Sequence, residues 1–201
     1  MKKTVLSILF GLMLVPFALG QGYDIGDKAM NFRLKNVDGS YVSLSDYQDE
    51  KGAIVIFTCN HCPYAQAWEE RIIQIDKQFD PKGYPVVAIQ PNDPELAPGD
   101  SFENMKKRAS QKNYPFPYLM DETQEVYRTY GATATPHVYV LENEGKDFIV
   151  RYIGTIDDNY KDADKVEKKY LASAVKALLN GKDPEPQKTK AIGCSIKDKK
   201  K

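Results

Sequence analysis

Gly52-Ala53-Ile54-Val55-Ile56-Phe57-Thr58-Cys59-Asn60-His61-Cys62-Pro63 is the stretch on which the fold turns. Ala53 to Phe57 is an uncharged, β-branched run, the pattern of a strand buried on both faces. Beyond it, Ala65, Trp68, Ile72, Ile75 and Phe79 recur at steps of three and four, the apolar stripe of an amphipathic helix. Pro63 suits the first helical turn, where its missing N–H has no partner to lose, so the spacing predicts a helix that starts near Cys62. Two sulfurs therefore sit where a buried strand hands over to a helix N-terminus.

Free N–H groups and the positive end of the helix dipole favour an anion at such a position. A thiol placed there loses its proton below its ordinary value of ~8.5. The thiolate is the nucleophile, and a spacing of two residues lets both sulfurs close one small disulfide ring, so that one attacks a target and the other releases it. Cys59 is expected to be the exposed, low-pKa, attacking sulfur and Cys62 the buried, resolving one. His61, when protonated, adds positive charge beside them. A four-ligand zinc site would need a second pair at similar spacing, and only Cys194 and His137 remain. The order strand, C-x-x-C, helix points instead to redox chemistry, for which no cofactor is expected.

With 201 residues and 42% hydrophobic content, the chain can bury one sizeable core. Lys plus Arg and Asp plus Glu both count 28, so no global field points to nucleic acid. Residues 1–20 differ in kind: Lys2 and Lys3, an apolar run from Val5 to Val15, and the small-ended triplet Ala18-Leu19-Gly20. This is the pattern of a secretory signal cut after Gly20, which implies a periplasmic or secreted protein and an oxidising compartment where disulfides persist. The apolar run is shorter than the ~20 residues of a span, so no stable membrane span is expected after cleavage. The expected organisation is a signal peptide at 1–20, one domain at 21–181, and a tail at 182–201 that carries Cys194.

Along the chain, Asn31 to Leu44 alternates around the turn pair Asp38-Gly39 and reads as a β-hairpin, with a short helical turn at Ser45 and Asp46. Pro85 to Gln90 is a second buried strand, parallel to the first by the default for a strand, helix and strand in succession. A proline-rich loop, 91–100, follows that strand's C-terminal end, the side of an open parallel sheet where sites form. Ser101 caps a helix to about Lys112, Tyr118 to Met120 is a short strand, and Glu122 to Tyr130 a second short helix stopped by Gly131. Thr133 to Leu141 is a strand entered through Pro136, and it turns at 143–146 into an antiparallel partner, Asp147 to Ile153. Ala163 to Leu179 is expected to be a final helix, with Val166, Tyr170, Ala174, Ala177 and Leu178 along its stripe.

These elements resemble the thioredoxin superfamily, and more narrowly its peroxiredoxin-like branch, the AhpC/TSA-type redoxins among exported thioredoxin-family proteins. The resemblance covers Tyr23 to about Leu179, and its sharpest marks are C-N-H-C after a buried strand and Thr135-Pro136 opening a later one. It implies an α/β thioredoxin-like fold, with a central mixed β-sheet flanked by helices and an N-terminal β-hairpin. It also implies a cis Thr135-Pro136 bond against the cysteines, so that Thr135, Pro136 and His61 present the site to a bound substrate. Two departures stand out. Peroxiredoxins carry an arginine near the reactive cysteine, and the aligned position here is Pro136; thioredoxins carry a buried acid six residues before the first cysteine, and that position is Ala53. The first departure weakens peroxide chemistry, and the second leaves proton transfer to His61 or a water.

The expected function is thiol:disulfide exchange through Cys59 and Cys62, with protein or small-molecule thiols and disulfides as substrates and a reductant or oxidant protein as partner. The island Ile192-Gly193-Cys194-Ser195-Ile196 in an otherwise charged tail suggests a third redox sulfur that docks at the pair. Burying two such isoleucines is worth ~1.5 to 3 kcal/mol each, against an ordering cost of ~1 to 2 kcal/mol per residue fixed. Two alternatives stay open: a thiol peroxidase with Cys194 as resolver, and a copper-binding or copper-delivery protein that uses Cys59, Cys62 and His137.

Overall fold

A computed structural model describes residues 22–199, so the secretory signal expected at 1–20 lies outside the described residues. Its strands are β1 (Arg33–Asn36), β2 (Tyr41–Ser43), β3 (Gly52–Phe57), β4 (Val86–Gln90), β5 (Tyr118–Met120), β6 (Ala134–Thr135), β7 (His137–Glu144), β8 (Asp147–Gly154) and β9 (Cys194–Ser195). The helices are α1 (Pro63–Phe79), α2 (Phe102–Lys112), α3 (Glu125–Tyr130) and α4 (Tyr170–Leu179). Seven strands form one mixed sheet in the order β2-β1-β5-β4-β3-β7-β8, with β3, β4 and β5 parallel and the other pairings antiparallel. β6 and β9 make a separate two-stranded pair. This is the α/β thioredoxin-like architecture, and the N-terminal hairpin β1-β2 lies at one edge of the sheet.

β3 is buried along its whole length. Its period of two deals Ile54 and Ile56 to one face, with Trp68, Ile72 and Phe79 of α1 and Leu171 and Val175 of α4. Ala53, Val55 and Phe57 go to the other face, with Tyr127 and Tyr130 of α3. Each large aliphatic buried in this way contributes ~1.5 to 3 kcal/mol. Helix α1 is pinned at its middle, where Trp68 Nε1 donates to Asp157 Oδ1 at 2.8 Å and Arg71 donates to the other carboxylate oxygen at 2.5 Å. No described helix is long and apolar enough to cross a membrane.

Two helices differ from expectation. α3 begins at Glu125 rather than Glu122, because Asp121 to Gln124 form a turn in which Gln124 is left-handed (φ 60°). The Asp121 carboxylate reaches forward to accept from Val126 N and Tyr127 N, so the cap comes from before the turn. The final helix is split: 163–165 is a 3-10 turn and α4 starts only at Tyr170. Between them the backbone is held out of helical geometry by Asp158, whose N–H donates to Lys168 O and whose Oδ1 accepts from Glu167 N. Glu167, Lys168 and Lys169 are exposed and give that segment nothing apolar to bury. The buried stripe is consequently Leu171, Ala172, Ala174, Val175 and Leu178, and Val166, Tyr170 and Ala177 are only half-buried.

The tail returns to the domain. Gln187 O accepts from Ile153 N and Thr189 N donates to Ile153 O, which lays this segment along the end of β8. Ile192 then packs on the core face shared by α1 and α4, and Ile196 on the opposite one.

Candidate active site

The sequence places Cys59 and Cys62 at the C-terminal end of β3. Thr58 N still donates to Ile89 O at 2.8 Å, and the chain then leaves the sheet. Cys62 is the N-cap of α1, extended at φ −69° and ψ 123°, with Pro63 next and the first helical bond from Gln66 N to Cys62 O. The loop between the cysteines is tied down on both sides. Asn60 accepts from the Tyr118 hydroxyl at 3.0 Å and donates to Gly99 O, and its carbonyl accepts from Gln66 Nε2 at 2.7 Å.

Thr135 lies against both sulfurs. Its hydroxyl is 3.2 Å from Cys59 Sγ, and its carbonyl oxygen is 3.1 Å from Cys62 Sγ. The Thr135-Pro136 bond is cis. All three cysteines are free thiols, and Cys194 joins the cluster of Cys59, Cys62 and Ala65 because β9 pairs antiparallel with β6, Cys194 opposite Thr135. Gly193 permits this approach, since a Cβ there would collide with the Thr135 carbonyl. Cys194, half-buried, is the most accessible of the three; Cys59 is 5% exposed and Cys62 fully buried.

Cys62 is the more buried of the pair, as expected, but Cys59 is buried too, and the acidities run against the expectation that Cys59 is the low-pKa sulfur. The Cys59 thiol is pushed up, first by donating to Cys62, then by burial and by the Asp100 charge. The Cys62 thiol is drawn down to about 4 by the hydrogen bond it receives from Cys59, with further donors in the Cys194 side chain and the Ala65 and Cys194 N–H groups. As a thiol, Cys62 Sγ donates to the Thr135 carbonyl at 3.1 Å, a bond that ionisation gives up. Cys194 is raised to about 11, by burial first and then by the neighbouring Cys62. Cys62, at the helix N-terminus, is therefore the most readily ionised of the three sulfurs.

Asp100 is a site residue that sequence reasoning missed. It is fully buried at the end of the loop after β4 and accepts from Asn60 N (2.8 Å), His61 N (3.1 Å), Asn92 Nδ2 (2.7 Å) and His61 Nδ1 (2.6 Å). The available signal was topological: the loop after β4 ends beside the loop after β3. Cys59, His61 and Asp100 each bring an atom within 4.8 Å of the others, a spacing also compatible with a metal ion. Within that set His61 Nδ1 and Asp100 Oδ2 are hydrogen-bonded to each other at 2.6 Å.

The set Cys59, Cys62 and His137 proposed for copper does not assemble. His137 pairs with Phe57 across the sheet and turns to the α3 face, its ring 4.9 Å from that of Tyr139. It accepts from Thr133 N at 3.2 Å, and burial pushes its pKa down to about 4. Ala53 faces the same side, packed in that core, so no acid stands there.

A family model described as the AhpC/TSA family matches residues 25–153. The chain is 26% identical over 152 residues to the thiol-disulfide oxidoreductase ResA of Bacillus thuringiensis subsp. konkukian, covering 72% of this chain and 82% of that one. It is 26% identical over 137 residues to a putative peroxiredoxin of Helicobacter pylori, covering 67% and 85%. The crystal structure of an uncharacterized conserved protein from Geobacillus kaustophilus superposes with a TM-score of 0.82 at 40% identity, over 90% of this chain and 95% of that one.

Proposed function

The chain belongs to the AhpC/TSA family of the thioredoxin superfamily and is a redox enzyme, and from that premise we propose that it is an exported thiol:disulfide oxidoreductase working through Cys59, Cys62 and Cys194. The observation that carries this reading is the convergence of three sulfurs on Thr135, one of them delivered by the tail. Substrates are protein or small-molecule disulfides and thiols, and a second redox protein resets the site.

Exposure sets the order of events. Cys194, the most accessible sulfur, loses its proton to solvent and attacks a partner disulfide, which forms a Cys194–partner mixed disulfide and releases one half of the partner as a thiolate; Cys62 then attacks Cys194 Sγ as a thiolate and releases the other half. The resulting Cys62–Cys194 disulfide is then attacked by Cys59, which loses its proton, forms Cys59–Cys62 and frees Cys194. Each step breaks one S–S bond and forms one, and the protein is oxidised by two electrons while the partner disulfide is reduced. Run backwards, the same relay reduces a partner.

Export is proposed from the N-terminal pattern, with a mature chain beginning at Gln21, a domain to about residue 181 and the sulfur-bearing tail beyond. N-terminal sequencing of the secreted product checks the cut; an uncleaved cytoplasmic protein would contradict it. Turnover of glutathione disulfide by purified mature protein tests the reaction, and activity that survives in Cys62→Ala would sink it. The peroxidase reading has support in the putative peroxiredoxin relative, but Pro136 stands at the arginine position. Arg108 and Arg71 are engaged by Glu69 and Asp157. Hydrogen peroxide is accordingly expected to turn over poorly beside a disulfide, and comparable rates would promote the rival.

A further inference from the structure

Ring closure needs Cys59 to give up a proton from a buried position, and the acid that thioredoxins use is replaced by Ala53. We infer that His61, held by Asp100, carries the proton of Cys59 as the Cys59–Cys62 disulfide closes and opens. The inference rests on the exchange reaction proposed above and names the group that makes its slowest proton movement possible.

The neighbours of Cys59 leave few other carriers. On one side the sulfur borders a pit of about 10 Å³ lined also by Glu69 and Tyr114. Glu69 is already held by Arg108 at 2.6 and 2.9 Å, by Lys112 at 3.2 Å and by the Tyr114 hydroxyl at 2.5 Å, so it has little capacity to accept a proton from sulfur. Thr135 is a hydroxyl, and Tyr118, fully buried, donates to Asn60. Cys62 and Cys194 are the two sulfurs of the disulfide under attack, and Cys194 gains charge only as Cys59 closes on Cys62. That leaves His61 and Asp100, both within 4.8 Å of the sulfur.

Their arrangement suits the task. Asp100 lies in a cage of four N–H groups, the backbone donors of Asn60 and His61, Asn92 Nδ2 and the His61 ring, so its position is set before the reaction. The His61 side chain is 37% exposed, whereas that of Asp100 is 0% exposed. The imidazole thus spans from a buried carboxylate to water, a route along which a proton from Cys59 can leave. When Cys59 attacks Cys62 Sγ in the Cys62–Cys194 disulfide, the Cys59 proton passes to the imidazole and the new cation is balanced by Asp100. Cys194 departs as a thiolate and takes a proton from solvent. Opening reverses each transfer.

The test is the rate of Cys59–Cys62 closure after reduced protein is mixed with glutathione disulfide, followed by acid quench, thiol trapping and peptide mapping over a range of pH. His61→Gln, which leaves the Asp100 cage largely intact, and Asp100→Asn should each slow closure by roughly 10²-fold, and the rate should then climb about tenfold per pH unit, as expected when hydroxide replaces an internal base. Free imidazole should restore part of the rate in His61→Ala. A second measurement separates proton carriage from simple charge effects. In a Cys62→Ser, Cys194→Ser background, Asp100→Asn removes a negative charge beside Cys59, so alkylation of Cys59 should titrate at lower pH. If Asp100 acted only through its charge, closure would become faster, opposite to the proposal. Wild-type closure rates and pH profiles in both variants would overturn the proton role while leaving exchange intact. A wild-type protein that forms neither disulfide would remove the exchange reaction and this inference together.

Discussion

The junction of β3 with α1 and the tail strap that carries β9 deliver sulfur to the same point by opposite routes. At the junction, Cys59 and Cys62 are fixed by their own neighbours: a strand buried on both faces stops, and a proline starts a helix. Cys194 is brought from far along the chain by contacts no neighbour dictates. Lys197 N donates to Asn92 Oδ1, Lys197 O accepts from Asp93 N and Gln124 Nε2, Lys199 N donates to Gln124 Oε1, and Arg128 pairs with Asp198. The lesson is that a redox site can hold a nucleophile on rigid structure and place its exchange partner on a strap secured by polar bonds and two partly buried isoleucines. Such bonds are worth about 0.5 to 1.5 kcal/mol each, and with the isoleucine contacts they are offset by an ordering cost of about 1 to 2 kcal/mol per residue, so the strap can release while the junction stays folded.

Breaking the junction should have the largest effect. Cys59→Ala and Cys62→Ala should each reduce disulfide turnover to the uncatalysed background, whereas Cys194→Ser should retain slow exchange with small disulfides that reach Cys62 when the strap opens. Equal loss in all three variants would mean that the strap is as indispensable as the junction.

Breaking the strap at its closest approach comes next. Gly193→Val puts a branched side chain against the Thr135 carbonyl and should unseat β9, at a cost of about 1 to 3 kcal/mol to docking. The readout is Cys194 alkylation, which should accelerate roughly 5- to 150-fold with little change in the unfolding of the domain. Gln124→Ala, which loses two bonds to the strap, should do the same to a smaller extent.

The pH dependence sharpens the comparison further. Cys62 has its folded value depressed from 9.0 to about 4, so its thiolate contributes stability that is full above about 9 and is lost as pH falls through about 4. Reduced wild type should therefore lose stability relative to Cys62→Ser as pH is lowered across that window. Thiolate absorbance should titrate near the acid end. A thiolate that titrates instead at Cys59 would return the roles to those read from the sequence.

What was legible in the sequence follows the same division. β3, α1, the hairpin at Asp38-Gly39 and the parallel β4 come from local periodicity and turn chemistry, and they stand where expected. Ile192 and Ile196 marked the strap because they are apolar in a charged segment. Misread were the starts of α3 and α4, where side-chain bonds from Asp121 and Asp158 override the helical pattern. Unseen altogether were Asp100 and the reversed acidities of the two thiols. Both depend on which loop ends lie side by side above the sheet, a fact of tertiary structure that spacing along the chain does not carry.

The central claim is that the strap's sulfur exchanges with Cys62. Its most direct test is disulfide mapping of the mature protein poised at a series of redox potentials, with free thiols trapped and crosslinked peptides identified by mass spectrometry. A Cys62–Cys194 crosslink should appear at intermediate potentials beside the Cys59–Cys62 disulfide and accumulate further in Cys59→Ser. If Cys194 instead stays alkylatable at every potential, in wild type and in Cys59→Ser alike, the three-sulfur relay is contradicted and the tail has no part in the chemistry.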